Sequence, residues 1–508
     1  MSQNWQSGMK WLQGIVGGWI ISLFLLLLIS IPWILFPIIG LVALPTFLIS
    51  IFLLGVLIPF QAYLLLGQTD RPPCKIFFSV NPVRCFHICL RTYDHFIFLL
   101  DAIPSVGIGM LKQLFVFLSN IEPNSRTSQN ILSPFRSLSL RGVTATFGLI
   151  YDDQSLNKLD IYYPSLSTLH LQQTITTPQT PPTQMPEDTQ GTTSTCDPVN
   201  ISGSSDPLDP FPRGEPQIRP QPVTPLSSST ISLNTIDMKP VVVFVPDVGM
   251  TSLFTLRRWM FSLLGIKFSQ MGYVVLIPDI TPYPEGKIEV MCRDLRSVCQ
   301  WAKNNLEEYG GDPDRIYICG HGLGGTLALL TLTQEAIVRA GEGMMRKFGV
   351  QRVRQRMPNG LRAVRCYHRE VIMPDIKGLI LLAPIGDCLE QIQYEARRWI
   401  EHLSPLRRII GPSQTKCMQH SVTHLLFAAR SILPVNCLPR MLVVGTGKGV
   451  IPPTQGMNLH EIVHGLGIPT TFQVFREMGH WGMIRTLMTG LEDEYSEALR
   501  LSVEEFVV

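Results

Sequence analysis

The stretch YICGHGLGGTLAL, residues 317–329, decides how this chain folds. It opens as an apolar run of strand type, passes through a corner crowded with glycines, and resumes as a helix. Gly320, Gly322 and Gly324 alternate through the corner, with His321 and Leu323 between them. A strand that feeds straight into a helix points to an α/β arrangement.

Outward from this corner the alternation continues. Strands are predicted near 241–245, 273–278, 315–319, 377–383, 440–445 and 470–475. Among the helical stretches between them, 288–309 carries Ile288, Met291, Leu295, Val298 and Trp301 on one stripe. Short apolar strands separated by helices imply a mostly parallel sheet covered on both faces. LDIYYPS, 159–165, alternates and ends in proline, which reads as a further strand. Between it and Pro240, residues 166–239 are dominated by Thr, Ser, Pro and Gln. They hold too little apolar surface to offset their ordering entropy, and are read as a disordered insertion.

The 508 residues carry a net charge of +3, only 16% charged residues and a mean hydropathy of +0.20. That balance gives no basis for a nucleic-acid partner and points to a membrane. From Trp11 to Thr69 there is no Asp, Glu, Lys or Arg. One spanning helix takes about 20 apolar residues, so 11–69 is predicted as two transmembrane helices turning near Pro32, Pro37 and Gly40, behind a tail at 1–10. Lys10 precedes the pair and Arg71, Lys75, Arg84 and Arg91 follow it, which places both ends on the cytosolic side. Residues 70–140 are read as membrane-proximal. Within them, 94–119 is apolar but carries Asp94, Asp101 and Lys112, and is read as an amphipathic helix lying on the bilayer. A third span or a re-entrant segment are the alternatives. Eleven scattered cysteines without a C-x-x-C pair suit a reducing compartment, and neither a metal nor a cofactor is expected.

LDIYYPS, VVVFVPDVGM, GYVVLIPDITPYPEGKIEVMCRDLRSVCQWAKNNLEEYGGDPDRIYICGHGLGG and GHWGM occur in the order used by α/β-hydrolase-fold carboxylesterases. The chain resembles the branch that holds isoprenylcysteine methylesterases and related microsomal esterases. The resemblance covers about 145–165 and 240–500. It implies an α/β-hydrolase domain built from 141–165 and 240–508, on an endoplasmic reticulum or other endomembrane. It also implies a carboxylic-ester hydrolase ancestry, though a fold does not carry an activity.

Ester hydrolysis on this fold takes a nucleophile, a base, an acid that orients the base, and oxyanion donors. The resemblance sets the nucleophile position, the centre of G-x-S-x-G, at Gly322, which has no hydroxyl. Thr326 lies one helical turn later and does not reach the apex. The base position is His480, in MGHWGM. The acid position, in the frame Gly445 to Pro452, is Lys448, with Asp387 as the alternative, relocated acid. The oxyanion loop aligns with Pro246, Asp247, Val248 and Gly249. Proline offers no N–H, and Asp247 brings a carboxylate to where negative charge would develop; a cap for a helix beginning near Thr251 is its other reading.

Two further regions stand out. The insertion 339–369 carries nine Arg and Lys residues against the single acid Glu342. Arg352, Arg354, Arg356, Arg362 and Arg365 are its candidate contacts to anionic lipid. Residues 388–439 stand where this fold grows a lid. Three readings follow: a non-catalytic, membrane-anchored protein that binds a lipid or protein partner; an active esterase or lipase with a displaced nucleophile; and a membrane-organising scaffold.

Overall fold

The computed structural model describes residues 14–29, 44–55, 57–58, 83, 86–88, 90, 137–140, 142–165, 238–248, 256–351, 353, 357–401, 404–411, 413–447, 449–489 and 494–507. The predicted insertion 166–239, apart from its last two residues, and the segment 94–119 lie outside the described residues.

Nine strands form one sheet among the described residues: β1 (Ser137–Leu140), β2 (Val143–Ile150), β3 (Lys158–Pro164), β4 (Lys239–Val245), β5 (Val274–Pro278), β6 (Gly311–His321), β7 (Ile376–Leu382), β8 (Arg440–Thr446) and β9 (Thr470–Phe475). Their spatial order is β1-β2-β3-β5-β4-β6-β7-β8-β9. The pairings from β5 through β9 are all parallel, while β1, β2 and β3 join by antiparallel pairing. The six strands read from the apolar runs are therefore the parallel body. In β5 every residue is buried, as a strand covered on both faces requires. β1, the four residues SLSL, begins before residue 141, where sequence reading starts the domain; it offers no apolar run to find.

Helices α1 (Ser262–Gln270), α2 (Ile288–Asn305), α3 (Leu323–Phe348), α4 (Cys388–Arg397), α5 (Pro453–Gly465), α6 (Gly482–Thr489) and α7 (Glu494–Val507) cover the sheet. α1, α6 and α7 pack together on one face; α2, α3 and α5 occupy the other, linked through the short helix Val422–Ala429. The predicted stripe on 288–309 is the buried face of α2, whose last turn tightens into a 3-10 turn and stops at Gly310. α3 runs ten residues into the basic insertion before ending at Gly349. The ion pair of Arg339 with Glu335, one turn apart, supports that continuation. The region 388–439 is helical over Cys388–Arg397, Pro405–Ile410, Gln414–His420 and Val422–Ala429.

A buried ion cluster locks β3, the residue after β5 and the 3-10 turn Arg258–Phe261 that leads into α1 together. Arg258 donates from Nε to Asp160 Oδ1 at 2.8 Å and from a second guanidinium nitrogen to Asp279. Its backbone N–H also donates to Asp279, at 3.0 Å. Sequence reading gave Arg258 no role. In the charge-free stretch 11–69, residues 14–29 and 44–55 are helical. No helix among the described residues is long and apolar enough to cross a membrane.

Candidate functional site

β6 delivers the corner at the carboxyl edge of the parallel strands, and the glycines are what permit its shape. Gly322 has φ +55°, a conformation that favours glycine. A Cβ on Gly324 would stand 2.3 Å from the carbonyl oxygens of both Val245 and Pro246, so β4 and α3 meet there at backbone distance. Thr326 fastens the corner from within α3. Its hydroxyl donates to the Gly322 carbonyl at 3.2 Å and accepts the Ile385 N–H at 2.9 Å. It holds the turn and faces no substrate position.

The space above Gly322 belongs to Asp247. A Cβ placed on Gly322 would lie 2.7 Å from Asp247 Oδ2 and 3.0 Å from His480 Cε1. His480 Nε2 approaches Asp247 Oδ2 at 3.1 Å, and Asp247 Oδ1 accepts the Leu323 N–H at 3.4 Å. In a working serine hydrolase the N–H after the nucleophile faces the oxyanion, and the imidazole Nε2 faces the seryl oxygen. Here one internal carboxylate occupies both positions.

That contact also sets the imidazole the wrong way round for a general base. A carboxylate only accepts, so Nε2 carries the proton. The base needs Nε2 bare and Nδ1 protonated toward an acid. Nδ1 of His480 is buried and has no hydrogen-bond partner among the described residues. The acid position itself, Lys448, lies outside the described residues, as does Gly249. Gly449, the next residue after Lys448, passes close to His480: a Cβ on it would stand 3.2 Å from the His480 backbone nitrogen. Asp387 sits elsewhere. Its carboxylate caps α4 through the N–H groups of Leu389 and Glu390 and meets His424 Nε2 at 2.9 Å. Val248 packs against the core and Pro246 is buried. Arg362 and Arg365 are exposed, while Arg352, Arg354 and Arg356 lie outside the described residues.

His321, which sequence reading placed in the elbow without a chemical role, is a member of the site. Its ring lies 4.2 Å from that of His480 and 5.0 Å from that of Trp481, centroid to centroid. Its Nε2 donates to the His480 carbonyl at 2.9 Å, which fixes the loop that carries His480. Full burial, with His480 beside it, pushes its pKa down to about 3. The unfolded chain takes up this proton near pH 6.5 and the folded one does not until about 3. Stability is thus complete above the unfolded value and falls as pH drops through it, by about 1.4 kcal/mol per unit from this group. His321→Gln should flatten that acid limb, measured as the difference in urea midpoint between pH 7 and pH 5.

Residues 262–483 match a family model described as the alpha/beta hydrolase fold. A probable isoprenylcysteine alpha-carbonyl methylesterase of Arabidopsis thaliana is 37% identical over 110 residues, 22% of this chain and 22% of the relative. One from Oryza sativa subsp. japonica is 37% identical over 106 residues, 21% of this chain and 24% of the relative. The chain thus spans about a quarter of the length of these relatives or less. Among solved structures, esterase B from Lactobacillus Rhamnosis is similar over 78% of this chain and 95% of its own, at 12% identity and a TM-score of 0.43. The chain carries an α/β-hydrolase fold and is a distant homologue of the isoprenylcysteine methylesterases.

Proposed function

We propose that this chain is a membrane-anchored α/β-hydrolase-like protein that does not hydrolyse esters and acts by binding a lipid or a protein partner. One observation carries the reading. The carboxylate of Asp247 fills the space above Gly322 while it holds both His480 Nε2 and the Leu323 N–H. A site so arranged has no hydroxyl to attack, a base in the unsuitable tautomer and an oxyanion donor already engaged. Losing a single oxyanion donor costs about 100- to 1,000-fold in rate, and here nucleophile and base are altered as well.

The anchor is supported by the charge-free stretch 11–69 and by its helical residues. Trp19, Ile21, Phe24, Ile29, Leu48 and Phe52 are all exposed there, which suits lipid as their solvent. The basic flanks favour a globular part on the cytosolic side of the endoplasmic reticulum or another endomembrane.

The second reading, an esterase with a displaced nucleophile, has Asp247 as its candidate, because its carboxylate faces His480. Carboxylate attack on an ester would form a mixed anhydride and expel alkoxide. The tetrahedral adduct would instead return the carboxylate, the better leaving group of the two. Purified full-length protein offered short-chain p-nitrophenyl esters and a fluorophosphonate probe separates the readings. The expected result is no turnover and no labelled serine. A labelled serine, or an acyl adduct on Asp247 found by mass spectrometry, overturns the non-catalytic reading.

A further inference from the structure

Helix α3 is longer than the sheet it covers. Its 26 residues span about 39 Å, against about 36 Å for the 11-residue β6 and about 23 Å for the seven-residue β4 and β7. Its buried positions end at Gly341 and Met344 still packs against the core, so Met345 to Phe348 project roughly 6 Å beyond it. α3 leaves the Gly322 corner at the carboxyl edge of the sheet, and β7 then returns parallel to β6. The projecting end therefore lies at the opposite edge of the sheet from the corner.

A second segment folds against the base of this projection. Arg369 pairs with Glu342, and the buried Arg296 of α2 donates to the carbonyls of His368 at 3.2 Å and Val371 at 2.7 Å. Immediately after that anchor Ile372 is 73% exposed, and Met345 on the projection and Val350 just past its Gly349 cap are 37% and 54% exposed. Arg346, one turn beyond Glu342, together with Lys347 and Arg365, is exposed without an ion-pair partner among the described residues. Cations and outward apolar side chains thus share one edge, held in place by buried hydrogen bonds, with the exposed Glu370 beside His368 Nε2 as the acid within residues 362–372.

We propose that this edge, formed by the end of α3 and residues 362–372, is a docking surface for an anionic bilayer. The cations meet lipid phosphates and carboxylates, while Met345, Val350 and Ile372 enter the acyl boundary. The proposal rests on the membrane-anchored reading above and adds its orientation. A chain tethered through 11–69 keeps its own bilayer at high effective concentration, which favours lipid over an acidic protein as the occupant. Docked this way, the Gly322 corner faces the aqueous side. Of the two partner classes, the remnant site then receives one that arrives from water, a protein or a soluble ligand.

The test uses full-length protein mixed with vesicles of phosphatidylcholine, with and without phosphatidylserine. Amide exchange should slow across 342–351 and 362–372 only when phosphatidylserine is present, with the corner at 320–324 unchanged. Each cation near such a surface contributes roughly fivefold, so the R346Q/K347Q/R365Q variant, which removes three, should lower the docking constant about 100-fold and erase the protection. An unchanged melting temperature would show that variant to be folded. Sedimentation with both vesicle types but no change in exchange overturns the docking surface and leaves the anchor standing. Failure to sediment with either overturns both. Protection that persists in the triple variant, or that appears at 320–324 instead, also overturns the surface.

Discussion

Gly322→Ser, which returns a hydroxyl to the corner, is expected to yield no ester turnover and to lower stability by about 2–4 kcal/mol. Two causes add. A side chain at φ +55° is strained, and its Cβ would sit 2.7 Å from Asp247 Oδ2 and 2.9 Å from Asp247 Cγ. The carboxylate must then leave His480 and the Leu323 N–H, or the corner must shift. Gly322→Ser with Asp247→Ala should recover part of the lost stability, because the clash is gone. It should also place the new hydroxyl beside a released imidazole. The double variant is expected to react slowly with a fluorophosphonate at the introduced serine, while the single variant stays unlabelled. Urea denaturation and intact-mass measurement check the two parts. Ester turnover by the single variant would mean that Asp247 yields its position readily, and would undo the assignment of a filled site.

The sequence made the body of this fold legible because its chemistry is local. A strand buried on both faces has to be an apolar run, so β4 to β8 announce themselves, and a backbone-to-backbone approach demands glycine, so Gly320 and Gly324 mark the corner. That the corner carries no hydroxyl at Gly322 could be read in the same way, from a residue type at a fixed place. What could not be read is which side chain fills the space a missing one leaves. Asp247 is 75 positions from Gly322 and 233 from His480; the parallel pairing of β4 with β6 brings it to the corner, and the loop after β9 brings His480 to it. The same holds for His321, whose ring contact with His480 joins the end of β6 to the loop after β9. Asp387 shows the opposite case: a loop acid after a strand fits a catalytic frame by spacing, yet its neighbours make it a helix cap.

The cluster around Arg258 was also illegible, and it fastens the chain beyond the loop that carries Asp247. The chain leaves β4 at Val245, places Asp247 over the corner, and is fastened again at Arg258. The Asp160 side chain is 1% exposed and that of Asp279 is 10% exposed, so neither is hydrated as a free carboxylate would be. Replacing Arg258 by Met removes the cation and leaves two carboxylates close together in a poorly hydrated pocket. Breaking a buried pair from one side costs about 3–5 kcal/mol, which is expected as the loss in unfolding free energy. In the Arg258→Met background, Asp160→Asn should be far less harmful than in the parent. Its amide oxygen can still accept the Gly148 N–H that Asp160 accepts at 2.7 Å, and a buried charge disappears. A double-mutant cycle on urea midpoints should therefore give a coupling of at least about 1–3 kcal/mol. Additive losses would mean that Arg258 contributes packing alone. The far end of the loop carrying Asp247 would then be held by something other than this ion cluster.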